Sequence, residues 1–397
     1  MLSAALLLLP LCGSAGENPL KVFVLVGQSN MQGHAHVRTF EHIGMDPKTA
    51  PLLEEMVTEE GEPRVCEDVW ISYLSQGGVR SGTLSAGFGA SEEKIGPEYT
   101  FGITMHNVLE EPILIIKAAW GGKSLNTDFR SPSSGPYVFS ETQIEQFKKQ
   151  GKELEAIRAA KVEATGHYYR LMVEHVNRTL EHIGDLVPSK HLENGYALAG
   201  FVWFQGWNDM VDRGTYPRRD QPGGYDAYSS AMTHFIRDVR RDLSAPELPV
   251  VMGVLGVGGP IEKYLPDQKR YENIHRNFRT AMAAPALMQE FQGNVVAVLT
   301  ENYWDMELRD LRAKENGVRQ KLRQIQSQQK LERAEQNALL ERLRAEAFTD
   351  AEREILAKGV SNAEYHYLGS AKIMAQIGRG FAEGLLGLME EHEGTRK

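Results

Sequence analysis

The sequence predicts an α/β layer architecture built on a central parallel sheet of about five strands. Five short apolar runs are bounded by turn residues, and their hydrophobicity is continuous and not alternating, as in strands that are buried on both faces. Helical patterns lie between the runs, and this alternation of strand and helix favours a parallel sheet with helices on both faces. In such sheets, ligands bind at the carboxyl ends of the strands.

The predicted elements follow in chain order. The five strands cover residues 22–26, 113–116, 201–204, 250–255 and 295–299. The clearest helix covers residues 226–243, where apolar side chains recur at helical spacing and form one stripe. A second stripe of this kind predicts a last helix over residues 368–388.

Two segments interrupt the alternation of strand and helix. Residues 40–98 carry scattered glycines and charges with little periodicity, and we expect an irregular insertion there, formed by an elaborated loop or by small hairpins. Residues 306–358 hold 12 Lys and Arg and 10 Asp and Glu, with a thin apolar seam that indicates a solvent-exposed helical hairpin. Thr349 and Glu352 have the spacing of a capping box that would start a further helix. The hairpin is either a partner-binding arm or a solvated insertion in the single domain that we expect for residues 16–397.

The first 15 residues form a short apolar run that ends in small residues and resembles a signal peptide. The run is too short to span a bilayer stably, and it lacks the basic residues that usually precede such a run. The pattern predicts a secreted or periplasmic protein with no integral membrane segment once the signal is removed. The formal net charge of −9 argues against a nucleic acid partner.

The strongest chemical signal follows the first predicted strand. Residues 27–31 read Gly-Gln-Ser-Asn-Met, which places Ser29 in a turn between a strand and a helix. A serine in such a turn is either presented at the sheet edge as a nucleophile or merely caps the helix.

Three further segments favour the nucleophile. Gly121 and Gly122 follow the second strand, and paired glycines let backbone N–H groups approach a ligand closely. Asn208 follows the third strand and offers a side-chain amide, and His366 precedes the last helix. A serine, two sets of hydrogen-bond donors and a histidine at one sheet edge are the groups that acyl transfer requires.

With these residues the chain resembles the SGNH hydrolase superfamily, and within it the sialate O-acetylesterase and acetylxylan esterase group, carbohydrate esterase family six and its relatives. The segments that carry the resemblance are Gly27-Gln28-Ser29-Asn30-Met31, Trp120-Gly121-Gly122 and Gly206-Trp207-Asn208-Asp209. The resemblance implies a flavodoxin-like three-layer α/β/α fold. It also implies a serine esterase that removes O-acetyl groups from an acetylated glycan or another small ester. It does not extend to residues 306–358.

The resemblance implies a mechanism in which Ser29 attacks the acetyl carbonyl after His366 removes its proton. The oxyanion would be held by donors from three strand ends: the N–H of Ser29, the N–H of Gly121 or Gly122, and the side chain of Asn208. Four neighbouring side chains are expected to contact the substrate: Gln28, Asn30, Gln205 and Trp207.

One position departs from the family pattern. Most members carry an acid three residues before the catalytic histidine, and here that residue is Ala363. We expect Asp305, which follows the fifth strand, to orient His366, with Glu364, Glu301 or a backbone carbonyl as alternatives. Ala363 and the charged hairpin favour the alternative, a non-catalytic glycan-binding or scaffold protein on an esterase fold.

We expect neither a metal ion nor another cofactor. His34 and His36 have a spacing that could hold a metal on a strand, but no cysteine or carboxylate cluster accompanies them in the sequence. Because both follow the Ser29 turn closely, we expect them to line the site.

Overall fold

A computed structural model describes residues 18–396, with side chains through residue 391. Residues 1–15, the predicted signal, lie outside this range. The described part of the chain forms nine strands: β1 (Leu20–Gly27), β2 (Ala35–His36), β3 (Cys66–Ser75), β4 (Gly78–Leu84), β5 (Lys94–Ile95), β6 (Ile113–Ala119), β7 (Tyr196–Phe204), β8 (Val250–Val254) and β9 (Val295–Leu299).

The same range contains fourteen α-helices, and none of them is both long and apolar enough to cross a membrane. They are α1 (Ser29–Gln32), α2 (Glu41–Gly44), α3 (Ala50–Met56), α4 (Glu98–Leu109), α5 (Glu141–Lys149), α6 (Leu154–Ala164), α7 (His167–Glu181), α8 (Trp207–Val211), α9 (Asp226–Asp242), α10 (Glu272–Ala283), α11 (Met306–Gln328), α12 (Arg333–Ala347), α13 (Asp350–Gly359) and α14 (Ala371–Arg396).

Seven of the strands form one sheet in the order β4-β3-β6-β1-β7-β8-β9. Neighbours in this sheet are parallel, except that β4 pairs antiparallel with β3 at the edge. β2 and β5 form a separate antiparallel pair. The predicted α/β fold is confirmed, and all five predicted strands lie in the large sheet.

The predicted number of strands was too low, because β3 and β4 fall in the segment that was expected to be irregular. In β3 the exposed Glu67 and Asp68 follow the buried Cys66, and the polar Ser72 lies among the buried residues. β4 lies at the sheet edge, where most of its residues are at least partly exposed. Neither strand has the continuous apolar run of a strand buried on both faces.

Helices cover both faces of the sheet and complete the three layers. α4 and α14 pack together on one face, where Phe381 of α14 contacts Phe204 of β7. α9 lies on the other face, where its Phe235 packs against Trp203. Trp203 and Phe204 are neighbours in β7 and point to opposite faces, as strand geometry requires.

The chain connectivity singles out one end of β1. From β1 the chain continues to β3, β4 and β6 on one side and then crosses to β7, β8 and β9 on the other. The carboxyl end of β1 is therefore the topological switch point, the place where open α/β sheets bind ligands.

Residues 306–359 form three helices, the two of the expected hairpin and the further helix that the capping box predicted. α11, α12 and α13 share a small apolar core that contains Leu311, Val318 and Leu343. The Thr349 side chain accepts a hydrogen bond from the Glu352 N–H, so the predicted capping box is confirmed. This unit is called the helical insertion below.

Candidate active site

The turn after β1 carries Ser29 at the switch point. β1 ends at Gly27, where a Cβ atom would lie 2.0 Å from the Phe204 carbonyl oxygen, so no side chain fits. Gln28 caps α1 by accepting the Asn30 N–H through Oε1 at 3.2 Å. The Ser29 hydroxyl donates to the same oxygen. Ser29 itself is partly exposed at the end of the sheet.

The register of the sheet brings the glycine pair beside Ser29. Gly27 pairs with Ala119, the last residue of β6, so the chain leaves both strands at the same edge. Gly121 and Gly122 follow two and three residues later and are exposed. Gly122 has a φ of 76°, a backbone conformation that favours glycine. The backbone of this turn is open to a ligand on the Ser29 side of the sheet edge.

The register of β1 with β7 places Asn208 on the other side of Ser29 from the glycine pair. Gly27 also pairs with Phe204 at the end of β7, and α8 begins three residues later. Asn208 is the second residue of α8 and is partly exposed. Among the residues that the structure describes, its side chain has no hydrogen-bond partner. The amide is therefore free to donate to a ligand.

Asp209, the next residue, ties these two segments together. Its buried carboxylate accepts four hydrogen bonds, from the N–H groups of Leu125 and Asn126, the Gln205 side chain and the Tyr216 hydroxyl, at 2.6 to 3.1 Å. Burial raises the pKa of Asp209 to about 6, and the four hydrogen bonds oppose that shift. Asp209, in α8, thus binds the backbone at Leu125 and Asn126, which follows the glycine pair. The sequence analysis missed this role.

Three of the four side chains that were expected to contact the substrate are buried. Gln28, Asn30 and Gln205 are each at most 1 % exposed. Gln28 caps α1, and Gln205 donates to the Lys123 carbonyl at 3.0 Å and to Asp209. The Asn30 amide and the Gln28 Nε2 group have no hydrogen-bond partner among the described residues, so a substrate contact of these two side chains stays a prediction.

Trp207 is the exception, because it is partly exposed and forms part of an open cavity. Its ring packs against that of Tyr365, with the ring centroids 5.6 Å apart. Tyr365 is 43 % exposed, and the two rings line a cavity of about 500 Å³. Trp207 directly precedes Asn208 and Tyr365 directly precedes His366, so the cavity begins beside these two predicted site residues.

His366 lies in a strained loop before α14. The Asn362 N–H donates to the Leu368 carbonyl at 2.9 Å and closes the loop. Tyr367 and Leu368 have φ angles of 51° and 61°, which residues other than glycine rarely adopt. The Tyr367 side chain is buried, and its hydroxyl accepts the Gly256 N–H at 2.9 Å. Such strain persists where the surroundings hold it, and the loop that contains His366 packs against α1.

The tautomer of His366 follows from its hydrogen bond to Asn362. The Ala363 N–H, which can only donate, lies 2.7 Å from Asn362 Oδ1, so this atom is the amide oxygen. His366 Nδ1 lies 3.0 Å from the same oxygen and must therefore carry a proton. The lone pair is left on Nε2, the nitrogen that a general base uses in a serine-histidine pair. In the described structure the Ser29 hydroxyl bonds Gln28 and not His366.

The assignment of Asp305 as the acid behind His366 is corrected. The Asp305 carboxylate caps α11 by accepting the Leu308 N–H at 2.9 Å. It also lies 3.0 Å from Lys372 and 3.9 Å from His42, in a buried cluster at the base of the helical insertion. The residue that caps the first inserted helix thus serves the insertion and not the histidine loop.

The alternative acids are also placed elsewhere. Glu301 pairs with Arg279. Glu364 lines the cavity beside Tyr365. No carboxylate of the described residues hydrogen-bonds His366, whose partner is the neutral Asn362.

His34 stacks on His366, with ring centroids 3.9 Å apart and an angle of 4° between the rings. Burial is the main cause that lowers the pKa of His34 to about 3, and the neighbouring His366, Lys94 and Lys117 act in the same direction. Burial and Lys94 lower the pKa of His366 to about 4. Both rings are therefore neutral at neutral pH. Among the described residues, no group of three or more His, Cys, Asp or Glu could hold a metal ion.

A buried ion pair that the sequence analysis missed supports the Ser29 turn. Lys117 and Glu98 are fully buried, with Nζ 2.6 Å from Oε2. Lys117 also donates to the Gln32 carbonyl at the end of α1, at 3.1 Å, and to the Phe88 carbonyl, at 2.8 Å. Burial lowers the pKa of Lys117, and Glu98 opposes that shift. The lysine within the apolar run of β6 was the available signal.

The sequence matches a family model described as carbohydrate esterase, sialic acid-specific acetylesterase, over residues 19–293. The match covers more than half of the chain. The chain belongs to this family. The resemblance stated from the sequence is confirmed, and the protein is a carbohydrate esterase. The matched range includes Ser29, Gly121, Gly122 and Asn208 and ends before the helical insertion and His366.

Two solved structures are similar to this carbohydrate esterase. One is a protein from Arabidopsis thaliana, with 18% sequence identity and a TM-score of 0.38, over 71% of this chain and 86% of that chain. The other is a carbohydrate acetylesterase from Xanthomonas citri, with 12% identity and a TM-score of 0.38, over 72% of this chain and 50% of that chain. No curated protein matches the chain.

Proposed function

We propose that this carbohydrate esterase is a serine esterase that removes O-acetyl groups from a glycan through an acetyl-enzyme intermediate. The observation that carries the proposal is the arrangement around the end of β1. Ser29 lies there between the glycine pair and Asn208, and the His366 loop, with its lone pair on Nε2, packs against the same turn.

The proposed reaction begins when the Ser29 hydroxyl turns from Gln28 and gives its proton to His366 Nε2. Ser29 Oγ forms a bond to the acetyl carbon, and the carbonyl electron pair moves to the oxygen. The N–H groups of Ser29 and of Gly121 or Gly122, with the Asn208 amide, hold the resulting oxyanion.

The sugar leaves when the tetrahedral intermediate collapses, which completes the first half of the reaction and forms the acetyl-enzyme. The bond between the acetyl carbon and the sugar oxygen breaks, and that oxygen takes the proton from His366. Water then attacks the acetyl-serine ester, with His366 again as the base. Acetate leaves and Ser29 recovers its proton. The exposed rings of Trp207 and Tyr365 offer flat apolar faces to the sugar at the mouth of the cavity.

The test is hydrolysis of an aryl acetate and detection of the acetyl-enzyme by mass spectrometry. We expect activity in the wild type and its loss in Ser29→Ala and in His366→Ala. Ser327→Ala and His182→Ala serve as matched controls, because both residues are exposed and far in sequence from the site. An unchanged rate in Ser29→Ala would overturn the serine mechanism.

One observation favours a second candidate, a non-catalytic glycan-binding protein. The residue behind His366 is a neutral amide, which stabilises a protonated imidazole less than a carboxylate does. Under this alternative, the wild type and Ser29→Ala would both lack aryl acetate hydrolysis and would bind glycans equally well.

A further inference from the structure

A second cavity continues the one that begins at Trp207 and Tyr365. It has a volume of about 420 Å³ and shares three lining residues with the first, namely Asp267, Gln268 and Glu364. Its far side is α11 of the helical insertion. The two cavities therefore form one groove that runs from the His366 loop to the helical insertion, and we call it the arginine groove.

The groove carries more positive than negative charge. Its lining contains two acidic residues, Asp267 and Glu364, and five arginines: Arg213, Arg219, Arg270, Arg309 and Arg312. The whole chain has a formal net charge of −9, so this excess runs against the overall balance. A concave surface of one charge concentrates ligands of the opposite charge.

Two of the arginines are arranged to meet a ligand. Arg219 donates to the carbonyls of Met210 and Val211 at 3.1 and 3.3 Å, which holds it at the Trp207 end. Arg312, at the insertion end, is partly buried and makes no ion pair or hydrogen bond with a described residue. Its charge acts on the carboxyl of Glu364 across the groove, but no direct bond occupies the guanidinium, which is suited to bind a ligand carboxylate in a bidentate manner.

The insertion does not need this face of α11 for its own stability. Its core is formed by other residues of α11, among them Leu311 and Val318, which pack against Leu343. Asn316 and Gln320 of α11 are exposed and line the groove with Arg312. The polar face of α11 therefore borders the groove, and the apolar face holds the insertion together.

We propose that the helical insertion is the far wall of the substrate groove and that the groove binds an acidic oligosaccharide, with Arg312 contacting a carboxylate of a sugar unit distant from the acetyl group. The proposal rests on the proposed function, because it takes the acetyl ester to lie at Ser29. It gives the insertion a role in substrate selection.

The test measures binding by calorimetry on the Ser29→Ala protein, which removes turnover from the experiment. The probes are an oligogalacturonate and a xylo-oligosaccharide of the same length, which differ in the carboxylates. We expect the oligogalacturonate to bind about tenfold more tightly, with the difference reduced by added NaCl. In Arg312→Ala, the oligogalacturonate should lose about tenfold in affinity and the xylo-oligosaccharide little.

Arg323→Ala is the matched control, because Arg323 is exposed on the same helix and does not line the groove. Arg312→Glu provides a second variant in which binding of the acidic probe should fall further. Equal binding of the two probes, binding of neither, or unchanged binding of the acidic probe in Arg312→Ala would overturn the proposal. Because binding is measured without turnover, a negative result here is distinct from a failure of the esterase assay.

Discussion

His366 donates its Nδ1 proton to Asn362 Oδ1 across 3.0 Å, so a neutral amide lies where a serine-histidine-acid triad has a carboxylate. The amide oxygen fixes the same tautomer that a carboxylate would fix. An asparagine has this role in papain-like cysteine proteases. It adds no negative charge, however, and burial and Lys94 keep the pKa of His366 at about 4.

Asn362→Asp is predicted to raise the pKa of His366, because a carboxylate at this position favours the imidazolium. Since His366 must be unprotonated to act as a base, kcat/KM of the wild type should fall as the pH drops through about 4. In the variant this acid limb should move to higher pH. The pH profile of aryl acetate hydrolysis and the NMR titration of His366 measure the shift. Identical acid limbs in the two proteins would contradict the orienting role of Asn362.

The sequence was sufficient to locate the strands that meet at the site, but it was not sufficient to identify the residue that hydrogen-bonds His366. The ends of β1, β6 and β7 could be located because continuous apolar runs stop there at turn residues. Asn362 and His366 lie in a loop that the Asn362 N–H closes on the Leu368 carbonyl, with left-handed φ angles at Tyr367 and Leu368, and nothing in the residue types of this loop indicates that backbone path. The family pattern calls for an acid, and Asp305 was therefore expected in this role because it follows the fifth strand.

Buried charges were visible in the sequence, although their roles were not. Lys117 interrupts an apolar run, and Asp209 ends the segment that carries Asn208. A charge in such a place can face a substrate, a partner or solvent. The structure resolves this by showing that Glu98 faces Lys117 and that four donors surround Asp209.

Asn208→Ala is predicted to lower kcat for aryl acetate hydrolysis by about 10²–10³, the usual cost of removing one oxyanion-hole donor. The side chain is partly exposed and bonds no described residue, so thermal stability should be unchanged. Asn273→Ala, on the exposed surface of α10, is the control. A loss of kcat that accompanies a lower melting temperature would instead indicate a structural role for Asn208.

Asp209→Asn is predicted to lower both the free energy of unfolding and kcat. Each carboxylate oxygen accepts one backbone N–H, from Leu125 or Asn126, so the amide NH₂ must face a donor whichever way the side chain turns. An unsatisfied buried donor costs about 1–3 kcal/mol. Because these N–H groups hold the chain that follows Gly122, kcat for aryl acetate should fall as well.

The stability difference between wild type and Asp209→Asn should also depend on pH. The pKa of Asp209 is raised from 3.8 to about 6 in the folded protein, so the folded state binds more protons between these values. The stability that this group contributes is present below pH 4 and is lost as the pH rises through about 6. Relative to the variant, the wild type should therefore become less stable over this window. Urea denaturation at several pH values measures it, and a constant difference would contradict the raised pKa.

Lys117→Met is predicted to destabilise the protein by about 3–5 kcal/mol, because it leaves the carboxylate of Glu98 buried without its partner. The carbonyls of Gln32 and Phe88 also lose a donor, so the end of α1 loses a support close to Ser29. The double variant Lys117→Met, Glu98→Leu should recover much of the loss, since removing both charges removes the uncompensated one. Urea denaturation of the two variants and the wild type gives these differences. If the single variant is as stable as the wild type, the ion pair is not required for stability. If the double variant is as unstable as the single one, the loss comes from the hydrogen bonds to the two carbonyls and not from the charge of Glu98.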